Sequence, residues 1–282
     1  MSTLLAVDHA GGVPVPSWLG VGLSVLLVGV AVAVAVRERL GLARELVVAA
    51  VRAAVQLIAV GALLLLLFRH TGLPGSLGWV AGMVLVAGRV GAGRGRGLPR
   101  VQLVATCGVA AGVVATLGLL IAGGVVETAP RVVVPIGGMV VSAAMQGTSL
   151  VLLRLREEAS SNRRFVEARL ALGQTSRQAF APHVRSALRT ALIPAIDNTK
   201  VVGLITLPGA MTGLIIAGVP PLTAIRYQIV VMYMVLGAAA LGGLVAARLA
   251  SRELFDEAHR LRPVMATAPR RPALWWASRR AA

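Results

Sequence analysis

The sequence predicts an all-α membrane protein, a polytopic bundle of about seven transmembrane helices. Hydrophobic residues make up 57% of the 282 residues and charged residues only 14%, and the mean hydropathy is +0.81. That composition is too apolar for a soluble domain. Several apolar runs also reach the ~20 residues that are needed to cross a hydrocarbon core of ~30 Å. Basic residues, finally, are concentrated in alternate loops, as in multi-pass membrane proteins.

Seven apolar runs are the predicted spans. They cover residues 18–36, 46–68, 73–88, 101–126, 132–153, 188–218 and 222–247. The first lacks a preceding basic segment and is followed by RERLGLARE, not by a small-residue cleavage site, so we interpret it as a retained span. The sixth is too long for one simple span at ~1.5 Å per residue. It contains Pro194 and Pro208, so we expect a broken helix that is unwound around LPGAMTG.

The Lys and Arg residues predict that the N-terminus lies outside and the C-terminus in the cytoplasm. Twenty-three of the 28 fall in alternate loops and in the tail, and only Arg69, Arg131 and Arg226 fall in the opposite loops. The sequence thus predicts one permease domain over residues 1–250, with a cytoplasmic segment at 154–189. A basic cytoplasmic tail follows at 251–282, in which Trp275 and Trp276 suit the anionic headgroups of membrane lipid.

Several other classes of function are excluded. A net charge of +17 could indicate nucleic-acid binding, but the Arg-rich stretch GRVGAGRGRGLPR has no aromatic residue for base stacking, so we expect no nucleic acid. Cys107 is the only cysteine, which excludes an intrachain disulfide. A Walker A loop needs Gly-Lys-Ser/Thr, whereas the only lysine, Lys200, follows DNT. The chain therefore carries no ATP site and no catalytic residue, and we expect no cofactor in it.

The predicted cytoplasmic segment is a helix, a glycine turn and a second helix. Phe165, Ala168 and Leu172 share one face of the first helix, and Gly173 stands where a helix ends in a left-handed residue. Thr175 and Gln178 form a capping box that starts the second helix. An amphipathic connector lying on the membrane surface is an alternative interpretation of the same pattern.

Residues 167–173, EARLALG, resemble the E-A-A-x-x-x-G loop of ATP-binding-cassette permeases, with Arg169 in place of the second alanine. The longer blocks IGGMVVSAAMQGTSLVLLRL, ARLALGQTSRQAFAPHVRSALRTALIPAIDNTKVVGLITLPGAMTGLIIAG and PPLTAIRYQIVVMYM resemble the FetB-type permease family, which is linked to iron export and, in plant relatives, to aluminium tolerance. The resemblance implies a multi-pass permease of the inner (plasma) membrane that acts as a homodimer. A separate nucleotide-binding subunit would bind ATP and Mg²⁺.

The same resemblance implies that the cytoplasmic segment couples the permease to that subunit. The coupling residues would be Arg163, Arg164, Glu167, Ala168, Gly173, Thr175 and Arg177. Arg163, Arg164, Glu167 and Arg177 would supply polar contacts, and Gly173 would set the angle between the two helices.

Ionisable and polar residues inside the spans are the candidates for a substrate pathway. Asp197 and Lys200, at i and i+3, are a neutralising structural pair or part of the path, with Asn198 between them. Arg52 shares a face with Gln56 and either extends to the cytoplasmic interface or serves transport.

A second set of candidates follows from the fifth and sixth spans. Ser142, Gln146 and Ser149 lie on one helix face. The remaining candidates are Met145, Thr148, Met211 and Thr212. No cluster of His, Cys or carboxylate predicts a metal site, so the metal ligands stay unknown and iron follows from the resemblance alone. A proton-coupled carrier that uses Asp197, or a non-transporting scaffold, are the alternatives.

Overall fold

The computed structural model describes residues 8–10, 13–15, 18–70 and 72–264. The predicted lipid-binding residues Trp275 and Trp276, with the rest of the tail beyond residue 264, lie outside the described residues.

The described chain is almost entirely helical. Two short strands, β1 (Asp8–Ala10) and β2 (Val13–Val15), pair antiparallel ahead of the first helix. The helices are α1 (Trp18–Arg37), α2 (Ala43–His70), α3 (Leu73–Ala92), α4 (Val101–Val113), α5 (Leu119–Ala122), α6 (Pro130–Ser161), α7 (Arg163–Ala171), α8 (Ser176–Val201), α9 (Gly209–Ile216) and α10 (Pro221–Glu253). A 3₁₀ turn at Gly93–Gly95 follows α3, and a π-helical turn at Val114–Gly118 joins α4 to α5.

Five helical segments of the described chain are long and apolar enough to cross a membrane. They are Ala43–Leu64, Leu73–Gly95, Val101–Ala122, Pro130–Ser161 and Pro221–Glu253, and Gly22–Arg37 is a shorter apolar helix. These segments confirm a polytopic helical membrane bundle. The total of seven spans and the orientation of the termini stay predictions.

The chain separates into two compact units. The first contains the described residues up to Arg69, with Ile216–Gly218. Its helix α2 has no buried side chain between Ala43 and Leu64. In a single chain, no side of this span is therefore buried.

The second unit contains His70–Ile215 and the described residues from Val219 onward. At its centre α4, α6 and α10 cross at glycines. A Cβ on Gly112 would come within 3.0 Å of the carbonyl oxygen of Ala238, and one on Gly147 would overlap the backbone of Ala239. Small residues let helix backbones approach this closely in membranes. The close crossing is why the apolar core of this unit is built largely from Ala, Val and Gly.

The sixth predicted span is broken, as expected, and the break includes Pro208 but not Pro194. Helix α8 continues through Pro182 and Pro194 and ends at Val201. Backbone N–H groups of Ile205 and Thr206 donate to the carbonyl oxygen of Val201, which closes a turn after the helix. Proline is tolerated inside spans when neighbouring groups satisfy the freed carbonyl. The unwound residues are therefore 202–208, and most of LPGAMTG is helical because α9 begins at Gly209.

Candidate coupling site

The helix–glycine–helix arrangement predicted for the cytoplasmic segment is present. Helix α7 ends at Ala171, and Gly173 has a φ of +84°, the left-handed conformation that favours glycine. Thr175 caps α8: the backbone N–H of Gln178 donates to Thr175 Oγ1 at 3.3 Å, and the backbone N–H of Thr175 donates to Gln178 Oε1 at 3.0 Å. Both helix ends are thus fixed by local hydrogen bonds and backbone geometry.

The apolar face predicted on α7 points away from the protein. Phe165 is 70% exposed and Leu172 is 83% exposed, and Ala168 between them is exposed too. We call these three residues the docking surface. The side chain that α7 buries is Val166, and Leu170 packs beside it against the same core. An exposed phenylalanine and leucine in water carry a free-energy cost that a partner surface would remove.

The charged residues of the segment divide into two groups. Arg163 donates through Nε to Glu167 Oε1 at 2.7 Å, so these two predicted partner contacts satisfy each other in the single chain. Arg169, which stands where the resemblance has alanine, donates to the backbone carbonyl of Ala179 at 3.3 Å. Arg164 and Arg177 are exposed. Among the predicted coupling residues they are the two arginines that are exposed.

Glu158 joins the ends of α6 and α8 that are predicted to lie in the cytoplasm. Its carboxylate lies 2.7 Å from His183 Nδ1 and accepts from Ser186 Oγ at 2.9 Å, both on α8. It also accepts from Asn162 Nδ2 at 2.9 Å, at the start of α7. One carboxylate thus connects three helices around the segment. The sequence reasoning missed it, because Glu158 is 25 residues from His183 and 28 from Ser186, and the neighbouring Glu157 carries the same charge.

The chain after α10 also packs against the cytoplasmic segment. Residues 254–264, which we call the C-terminal hairpin, fold back through an antiparallel bridge between Phe255 and Leu261. Leu254 and Leu261 are buried, and the ring of Phe255 meets the ring of Phe180 edge to face at 5.9 Å. This part of the predicted basic tail is therefore folded structure that contacts the start of α8.

The polar stripe of α6 is split between two environments. Ser142 and Gln146 are exposed in the single chain, and Gln146 Nε2 donates to Ser142 Oγ at 3.3 Å. Ser149 is buried and donates to the carbonyl oxygen of Met145 at 2.6 Å. Thr148 is fully buried at the glycine crossing. Only the outward half of the stripe could line a path in this conformation.

Asp197 and Lys200 contact each other, as their spacing predicts. Lys200 Nζ lies 3.3 Å from Asp197 Oδ1, and the two side chains are 70% and 58% exposed for the lysine and the aspartate. Asn198 is exposed beside them. Met211 and Thr212 are half-buried in α9, where Thr212 Oγ1 donates to the carbonyl oxygen of Pro208 at 3.2 Å. They therefore belong to regular helix and not to the unwound residues.

Arg52 and Gln56 lie on α2, in the other unit. Both are exposed and line a shallow groove along that helix with Arg44 and Glu45. Among the described residues no group of three or more His, Cys, Asp or Glu side chains could hold a metal ion. The described chain thus offers polar candidates for a path but no dedicated metal centre.

These features define a multi-pass helical membrane protein in which the helix pair α7 and α8 is folded and partly exposed. The chain belongs to the family described as "Uncharacterised protein family (UPF0014)", which it matches over residues 18–255. No solved structure matches it.

Three relatives illustrate the range of the family. The chain is 42% identical over 235 residues to the UPF0014 membrane protein STAR2 of Oryza sativa subsp. japonica, covering 83% of this chain and 82% of the relative. It is 37% identical over 242 residues to Protein ALUMINUM SENSITIVE 3 of Arabidopsis thaliana, covering 84% and 87%. It is 34% identical over 239 residues to the Probable iron export permease protein FetB of Escherichia coli strain K12, covering 85% and 92%.

Proposed function

We propose that this protein is the membrane-spanning permease subunit of an ATP-binding-cassette transporter and that it takes its energy from ATP bound by a separate subunit. The observation that carries the proposal is the docking surface. Phe165, Ala168 and Leu172 are exposed on a short helix whose other face is buried. A helix presented in this way fits a groove in a partner protein.

The contacts behind the docking surface support transmission of force. Glu158 ties the end of α6 to α8 and to the start of α7, and Arg169 ties α7 to the backbone of α8. A displacement of α7 by a partner would therefore move the cytoplasmic ends of α6 and α8 with it. Both helices continue toward the membrane, where α8 carries Asp197 and Lys200.

The remaining parts of the proposal concern assembly and substrate. Two copies of the permease would pair in the inner (plasma) membrane, each with one nucleotide-binding subunit that holds ATP and Mg²⁺. Iron is the proposed cargo, because a relative with 34% identity is named as a probable iron export permease. Asp197 is the one carboxylate among the candidate path residues, and the described residues contain no group of three or more His, Cys, Asp or Glu side chains, so the path would pass a cargo without holding it tightly.

Purification with the nucleotide-binding subunit tests this function. We expect the subunit to copurify with the wild-type chain and to hydrolyse ATP faster in its presence. The double variant Phe165→Ser, Leu172→Ser should lose both properties while keeping the thermal stability of the chain, because the two side chains are exposed. Val125→Ser is the matched control, since Val125 is 55% exposed between α5 and α6 at the other end of the bundle.

The outcomes separate this function from the alternatives. Wild-type copurification with unchanged ATPase activity in the double variant would show that α7 is not the coupling helix. Transport driven by a proton gradient without any ATPase subunit, and lost in Asp197→Asn, would instead identify a secondary carrier. Iron-dependent stimulation of ATP hydrolysis, measured against Mn²⁺ and Zn²⁺, tests the cargo separately.

A further inference from the structure

The C-terminal hairpin contacts the coupling segment at two places. Arg163, the first residue of α7, donates through a terminal guanidinium nitrogen to the backbone carbonyl of Leu261 at 3.2 Å. Ser176, the first residue of α8, has its Oγ 2.5 Å from Nδ1 of His259. The hairpin therefore reaches the first residue of both helices that flank the glycine turn.

The hairpin is itself held in shape by its own contacts. Arg260 donates from its backbone N–H to Asp256 Oδ1 at 2.8 Å and from Nε to Asp256 Oδ2 at 2.9 Å. The backbone N–H of Arg260 and its guanidinium keep the pKa of Asp256 below its usual value. The backbone N–H of Arg262 donates to the carbonyl oxygen of Leu254 at 2.8 Å. A closed turn of this kind moves as one piece.

The hairpin is also the direct continuation of α10. Helix α10 ends at Glu253, and Leu254, the next residue, is fully buried in the cytoplasmic core with Leu261. Helix α10 packs through its glycines against α4 and α6. A displacement of the hairpin would therefore reach a central helix of the bundle through one peptide bond.

A cavity of about 580 Å³ separates the middle of the hairpin from the glycine turn. It is lined by Arg163, Glu167, Gly173, Thr175, His259 and Leu261. Because this space is not filled by side chains, the hairpin is joined to the coupling segment by the two polar contacts and by its own buried side chains.

We propose that residues 254–264 form a second transmission element, which positions the coupling turn relative to α10. This inference rests on the proposed function, since it assigns a path for the force that ATP binding delivers. The route through Glu158 reaches α6 and α8, and the route through the hairpin reaches α10. His259 and Leu261 are its positioning residues.

The test follows the two routes separately in the full chain, reconstituted with its nucleotide-binding subunit. On a Cys107→Ser background, a spin label at Leu222→Cys reports on α10 and one at Ile196→Cys reports on α8. Both positions are exposed, at 76% and 41%. We expect a non-hydrolysable ATP analogue to change both signals in the parent protein. If neither signal changes there, the proposed function itself fails, and the hairpin proposal fails with it.

The variants His259→Ala and Leu261→Ala distinguish a transmission role from a structural one. We expect each to bind the nucleotide-binding subunit and to keep the ATP-dependent change on α8, while the change on α10 falls to the level seen without nucleotide. Glu257→Ala, an exposed position in the same hairpin, should change neither signal. His259→Ala keeps the buried leucine in place, so it remains informative if Leu261→Ala lowers stability. Full retention of the α10 signal in His259→Ala, or equal loss of both signals, would overturn the proposal.

Discussion

The two ends of α8 have opposite surroundings. At the end predicted to be cytoplasmic, Ala179, Phe180 and Ala187 are buried, and the helix starts in a complete capping box. At the membrane end, Ile193 is 47% exposed and Ile196 is 41% exposed, and the helix stops in a turn. One continuous helix is therefore fixed to its neighbours at one end and uncovered at the other.

The difference indicates that the exposed end of α8, and not the buried one, gains contacts outside the single chain. The contacts at the start of α8 are made within one chain, through Glu158 and the C-terminal hairpin. The exposed membrane end combines isoleucines, which suit lipid, with Asp197 and Lys200, which do not. We expect the second permease chain of the proposed pair, or water in a path, to cover those two charges.

The largest expected effect is an all-or-none difference in cysteine labelling between the two ends of the bundle, which we predict to lie on opposite sides of the membrane. On a Cys107→Ser background, Gln174→Cys beside the start of α8 should react with a membrane-impermeant maleimide only from the cytoplasm. Thr128→Cys, exposed before α6, should react only from outside. Reaction of Gln174→Cys from outside would contradict the orientation that the basic residues predict.

The cytoplasmic end of α8 should depend strongly on Glu158. Glu158→Ala removes the acceptor for Ser186 and Asn162 and the partner of His183, so we expect a loss of about 1–3 kcal/mol in the free energy of unfolding. Glu157→Ala is the matched control, because Glu157 is exposed and its ion pair with Arg154 should contribute no more than about 1 kcal/mol. Thermal unfolding in detergent measures both, and equal shifts would show that Glu158 is not a structural centre.

The glycine turn before α8 has room for a methyl group, but its left-handed backbone conformation is unfavourable for alanine. A Cβ on Gly173 meets nothing within 4 Å, so Gly173→Ala should cost only the left-handed backbone penalty of about 1–2 kcal/mol. We expect Gly173→Ala to lose most of its stimulation of the ATPase although the chain stays folded, because the turn sets the angle of α7. In Gly78→Ala, on helix α3 and also with open space, we expect unchanged or slightly raised stability. Full ATPase stimulation in Gly173→Ala would show that the conformation of the turn is not needed for coupling.

The membrane end of α8 should contribute least to the stability of a single chain. Because Asp197 and Lys200 are exposed, Asp197→Asn and Lys200→Met should each cost no more than about 1 kcal/mol in the isolated chain. The double variant should be as stable as either single variant, and transport by all three shows whether the pair serves the path. If the single variants instead cost about 3–5 kcal/mol and the double variant recovers it, the pair is buried in the assembly.

Features that depend on neighbouring residues were predictable from the sequence. The capping box, the left-handed glycine and the Asp197–Lys200 pair each involve groups within four residues of one another, so spacing alone defines them. Five of the predicted membrane spans were predictable as well, because hydropathy and length decide them; the total of seven stays a prediction.

Features that depend on distant contacts were not predictable. Ser176 and His259 are 83 residues apart, and nothing in the composition of the basic tail indicates that it folds back. On α7, both the Val166–Leu170 face and the docking surface are apolar, so periodicity could not decide which one is buried. The break lies beyond Pro194, where a turn on the Val201 carbonyl follows α8 and Pro208 precedes α9.

The glycine crossing of α4, α6 and α10 limits how this protein can change shape. A Cβ at Gly112 or Gly147 would collide with the backbone of α10, so the three helix axes are as near as peptide groups allow. Rotation of one of these helices about its own axis would drive larger side chains into that space. In the transport cycle that we propose, the three helices would therefore move together as one rigid body. The non-helical residues 202–208, which separate α8 from α9, lie outside that body.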